Sequence, residues 1–108
     1  MGKYVMVVQS NAVDGRDDEY NAWQDNFHFR EICAIPGITG GRRLEATPIA
    51  MPTPGAKYLS LYEIETDDVG AVMAELGRRS AAGEQTTTDS LDKSSAVLWI
   101  YAERPMAG

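Results

Sequence analysis

Two stretches with helical periodicity are separated and flanked by stretches with strand periodicity, and this order limits what the chain can become. Lys3 to Gln9, K-Y-V-M-V-V-Q, is short and rich in β-formers. A helical stretch follows, its start marked by Asp14, Gly15, Asp17 and Asp18 and its stop by Pro36-Gly37. Ile38 to Ala46 and Lys57 to Glu65 read as two further strands, with Gly40-Gly41 suggesting a bulge or a close backbone approach in the first of them. Between them Thr47 to Gly55, T-P-I-A-M-P-T-P-G, is an irregular connection. A second helix is predicted over Val69 to Ala81, capped by Asp67-Asp68, with Val69, Val72, Met73 and Leu76 on its apolar stripe. Ala82 to Ser95 is a polar loop of lid-like length, and Ala96 to Glu103 is the last strand.

Strand, helix, strand, strand, helix, strand is the split β-α-β-β-α-β order of a ferredoxin-like α+β sandwich. Right-handed crossovers place both helices on one face of a four-stranded antiparallel sheet. At 108 residues the chain is read as a single domain, 1–108, with residues 1–2 and 104–108 as flexible ends.

The two sheet faces pose a problem that the helices do not solve. The first, third and fourth strands carry apolar or aromatic residues on both faces, but the helices cover only one. The bare face measures roughly 300 Å² before side-chain relief is counted. Exposed patches of that size mark a partner surface, so a homodimer joined sheet to sheet is expected.

The first helical stretch, from Glu19 to Gly37, holds the only histidine and the only cysteine of the chain, with one of its two tryptophans. At about 100° per residue Tyr20, Trp23, Phe27 and Ala34 form one stripe, and His28 lies at its margin. Asp25 and Glu31 sit one turn to either side of His28, where a carboxylate fixes an imidazole tautomer and favours its charged form. That trio suits general acid–base work; a surface charge cluster with Arg30 has the same spacing. Cys33, near the helix C-terminus, is placed for packing rather than for nucleophilic attack.

Composition narrows the partners. A formal net charge of −6 argues against nucleic acid and anionic membranes. One histidine and one cysteine give no metal-ligand pattern, and no glycine-rich phosphate loop occurs, so neither a metal nor a cofactor is expected. With no span of roughly 20 apolar residues and no cleavable leader pattern, the chain reads as soluble and cytoplasmic.

The stretch E-Y-N-A-W-Q-D-N-F-H-F-R-E-I-C-A-I-P-G resembles the signature of the EthD-like branch of the dimeric α+β barrel proteins, through Glu19, Asn21, Trp23, Asp25, His28, Glu31, Pro36 and Gly37. Gln24 and Arg30 depart from it, standing where that family usually has tyrosine and proline. The resemblance implies a cavity that holds a small hydrophobic, aromatic or polyketide-like ligand. The expected function is cofactor-independent proton transfer next to a carbonyl, of a cyclase, isomerase or monooxygenase-like kind. His28 is then the base, Asp25 or Glu31 its orienter, and Tyr62 or Tyr58 a donor to the enolate oxygen. Trp23, Tyr58, Glu31 and Trp99 complete the expected ligand contacts. Two other readings stay open: a non-catalytic binding or accessory protein, and a haem protein with His28 as axial ligand.

Overall fold

The computed structural model describes residues 2–47, 49 and 55–106. The expectations for Met1, for 107–108 and for most of the proline-rich connection fall outside them. Gly2, expected to be frayed, is the first residue of a strand.

Four strands, β1 (Gly2–Ala12), β2 (Ile38–Glu45), β3 (Tyr58–Thr66) and β4 (Leu91–Ala102), form one antiparallel sheet in the order β2-β3-β1-β4. The expected ferredoxin-like topology is therefore the observed one. The last strand starts earlier than its sequence suggests: Leu91 and Asp92 pair with Ala12 and Asn11 beyond a register shift. Its polar opening L-D-K-S-S hides this, because an edge strand needs no apolar alternation to satisfy its ladder.

Register settles which face does what. Met6 pairs with Tyr62 on one side and Ile100 on the other, and this row faces the helices. Val7 pairs with Leu61 and Trp99, on the opposite face. The core gathers Met6, Tyr62 and Ile64 from the sheet under Ile32 of the first helix, Ile35 just beyond its end and Val72 of the second helix.

The second helix (Val69–Ala81) forms where expected, and its apolar stripe of Val69, Val72, Met73 and Leu76 packs on that core. Asp68 caps it, its Oδ1 accepting the Ala71 N–H at 3.2 Å, while Arg78 and Arg79 sit in its last turn.

The first helix departs from the uniform pattern. It runs α-helical over Asp17–Trp23, π-helical over Gln24–His28 and α-helical again over Phe29–Cys33. A π turn closes i→i+5 bonds, so it holds one residue more than an α turn, and side chains beyond it lag by about 100°. The expected stripe is corrected accordingly: Phe27 is 50% exposed and Ala34 is exposed, while Gln24, Ile32 and Ile35 are buried.

Both glycine signals in β2 have structural causes. The register slips between Ile38 and Gly40, and a Cβ on Gly41 would lie 3.1 Å from Phe29, Tyr62 and the Leu61 carbonyl. Gly37 is more constrained still, with φ +98° and Val72 Cγ2 2.8 Å from where a Cβ would stand. A Gly37→Ala exchange is expected to lower stability by about 1–3 kcal/mol, read as a reduced urea midpoint at unchanged m-value.

Candidate functional site

The π turn decides where His28 goes. In a continuous α-helix its ring would sit at the edge of the buried stripe; the lag carries it inward over the sheet. There it lines a cavity of about 80 Å³ whose apolar walls are Met6 and Val8 of β1, Leu98 of β4, Ile32 and Leu76. Its polar lining is His28, Gln24, Tyr62 and Gln85.

The imidazole is fixed by stacking rather than by hydrogen bonding. Its ring lies 4.6 Å from that of Trp23, centroid to centroid, at an interplanar angle of 15°. His28 Nδ1 is sealed from solvent and has no hydrogen-bond partner among the described residues. Burial favours the uncharged ring and pushes its pKa below the ordinary 6.5, opposed in part by the negative charge of Glu31. In Tyr62, burial raises the phenol to about 12, which keeps its proton available for donation.

A strap closes the cavity from the side. Trp23 Nε1 donates to the Thr86 carbonyl at 2.9 Å. Glu31 accepts the Thr86 N–H at 3.0 and 3.1 Å and its hydroxyl at 2.6 Å. These bonds pin the loop between the second helix and β4 against the first helix and set Gln85 into the cavity wall. At its far end Arg16 pairs with Asp89 at 2.6 Å, and the Val13 N–H donates to the Ser90 carbonyl at 2.7 Å.

The expected site residues separate into three groups. His28 and Tyr62 share the cavity, with Trp23 stacked against the former. Glu31 turns to the strap. Asp25 and Tyr58 belong to a different cluster: Asp25 Oδ1 accepts from Arg43 Nη1 at 2.8 Å, and the Tyr58 hydroxyl donates to Asp17 Oδ2 at 2.6 Å. Arg43 lies over the Tyr20 and Tyr58 rings at 5.6 and 5.7 Å. No carboxylate orients His28 among the described residues, contrary to expectation, and Trp99 stands on the other face of the sheet, 64% exposed.

Two polar lining residues escaped the sequence reading. Gln24 is visible only as the departure from tyrosine in the family signature, and Gln85 carries no signal inside a polar loop. A larger concavity of about 370 Å³ lies at one end of the sheet, walled in part by Lys3, Glu63, Glu65 and Tyr101, and holds neither His28 nor Tyr62.

His28 also makes stability depend on pH. Its folded-state pKa is depressed, so below the ordinary 6.5 the unfolded chain binds the proton more readily and stability falls as pH drops. Urea midpoints taken between about pH 8 and pH 5 are expected to decline below about 6.5 in the native sequence, and less steeply in His28→Gln.

Among the described residues no helix is long and apolar enough to cross a membrane, and no cluster of metal-ligating side chains occurs. No family model and no curated protein matches the chain. Among solved structures, the heme-degrader MhuD from Mycobacterium tuberculosis, determined with two hemes bound in its active site, is similar: TM-score 0.66 over 97% of this chain and 99% of that one, at 14% identity. That likeness, spanning both chains almost end to end, shows that this chain has the same fold, a four-stranded antiparallel sheet with two helices.

Proposed function

We propose that the chain is a small cofactor-independent enzyme that moves a proton at a carbon next to a carbonyl, with His28 as the base. The observation that carries this reading is a partly buried imidazole whose sealed Nδ1 has no hydrogen-bond partner among the described residues, in one cavity with the Tyr62 phenol. His28 Nδ1 takes the proton from the α-carbon. The C–H electron pair becomes the carbon–carbon double bond of an enolate, whose oxygen accepts a hydrogen bond from Tyr62. Return of the proton to either end of the enolate completes exchange or isomerisation.

Size sets the substrate range. The closed cavity of about 80 Å³ is well below the ~300 Å³ of pockets for drug-sized ligands. An aromatic or polyketide-like substrate therefore requires the strap at Thr86 to swing away. The same consideration bears on haem, the ligand of MhuD: a group that large needs a wholly different arrangement around His28.

The proposed assembly is a homodimer formed by apposing the two open sheet faces. Val97, Trp99, Tyr101 and Leu44 are between 41% and 64% exposed on that face of a single chain, a contiguous apolar surface of the kind that partners cover.

A binding role without chemistry is favoured by one observation, the absence of an orienting carboxylate at His28 among the described residues. Solvent-deuterium incorporation at the α-carbon of a panel of small ketones, followed by NMR, separates the two. Catalysis predicts exchange well above the buffer rate; a bound ketone that shifts the His28 resonance without exchanging supports binding alone.

A further inference from the structure

Three of the residues that line one small cavity each carry a buried polar atom without a partner among the described residues: Gln24 Oε1, His28 Nδ1 and Gln85 Nε2. Gln24 is only 4% exposed, and its amide nitrogen is occupied in a long 3.5 Å contact with the Tyr20 hydroxyl. Folds seldom leave such groups unsatisfied, because each loses its hydration without a bond to replace it. Something that enters the cavity is their natural complement.

The lining also says what that something is not. Among the described residues it contains no Asp, Glu, Lys or Arg. The nearby charges are turned elsewhere, Asp25 to Arg43 and Glu31 to Thr86. A carboxylate or ammonium placed there would lose its hydration without gaining a counter-charge.

We infer that Gln24 and Gln85 are specificity-determining residues that select an uncharged ligand carrying a hydrogen-bond acceptor and a hydroxyl or enol donor close together, as in an α-hydroxyketone. Gln85 Nε2 donates to the carbonyl side and Gln24 Oε1 accepts from the hydroxyl, while Met6, Val8 and Leu98 hold the carbon skeleton. Gln85 rides on the strap that Thr86 fastens, so the carbonyl is gripped only when the cavity is shut. This assignment rests on the cavity being the ligand site, as proposed above.

The test follows the His28 ring resonance while hydroxyacetone, acetone and pyruvate are titrated in turn into the native protein and into Gln24→Leu, Gln85→Leu and Gln85→Lys. Hydroxyacetone is expected to bind about tenfold or more tighter than acetone or pyruvate, because buried polar groups reject a ligand that leaves them unpaired. Each leucine variant should bring hydroxyacetone to the level of acetone, and Gln85→Lys should turn the preference toward pyruvate. Gln85 lies on a surface loop, so its variants report even where Gln24→Leu fails to fold. Equal or tighter pyruvate binding in the native protein, or an unchanged preference in the Gln85 variants, overturns the assignment of the two glutamines. No movement with any of the three compounds overturns the cavity as a ligand site, and the assignment with it.

Discussion

His28→Gln is expected to slow protein-dependent α-proton exchange by about 10²–10⁴-fold, the range that a positioned general base contributes. Glutamine keeps a planar group of similar reach but cannot accept and hold a proton. Ligand affinity should change far less, because Gln24, Gln85 and the apolar walls are untouched. Loss of exchange with retained binding assigns a chemical role to the imidazole. Exchange undiminished in the variant would move the base elsewhere in the protein.

Trp99→Lys is expected to carry the second large effect, on assembly. Trp99 lies on the open sheet face in the row with Val7 and Leu61, 64% exposed in the single chain. Buried tryptophans at interface centres are worth about 2–4 kcal/mol, so the dimer should weaken by about 30- to 1,000-fold, and more with a buried lysine charge opposed to its own copy. The fold of the single chain should hold to within about 0.5 kcal/mol, since the ring makes few contacts there. Sedimentation equilibrium reads this directly: a dimer that becomes a monomer agrees, and a species of unchanged mass in both proteins removes the sheet-to-sheet proposal.

The architecture was legible because its signals are local. The stripe of Val69, Val72, Met73 and Leu76, the Asp68 cap and the Gly40-Gly41 irregularity each follow from periodicity or backbone preference over a few residues, and each appears where expected. The site was less legible because two of its determinants are not local. A wheel of uniform step cannot anticipate a π turn, and that turn exchanges Phe27 for Gln24 and His28 on the inner side. It also carries Asp25 to Arg43 on β2, so the carboxylate expected beside the imidazole is bound elsewhere.

Pairing register was the other missing quantity. Period-two alternation puts Trp99 and Tyr101 together against Leu98 and Ile100, but only the Met6 to Ile100 pairing tells which pair meets the helices. Likewise the strap's grip on Trp23 and Glu31 joins residues more than fifty positions apart, and neither end advertises the other. Gln85 enters the cavity only because of that grip.

The π turn carries His28 into the cavity wall, and a proton NMR titration of this sole histidine reads that placement. One ring resonance is expected, with a midpoint below the ordinary 6.5, moved further by a ligand that enters the cavity. A midpoint at or above 6.5, unmoved by any ligand, would place the imidazole in solvent or beside a carboxylate and remove His28 from the cavity.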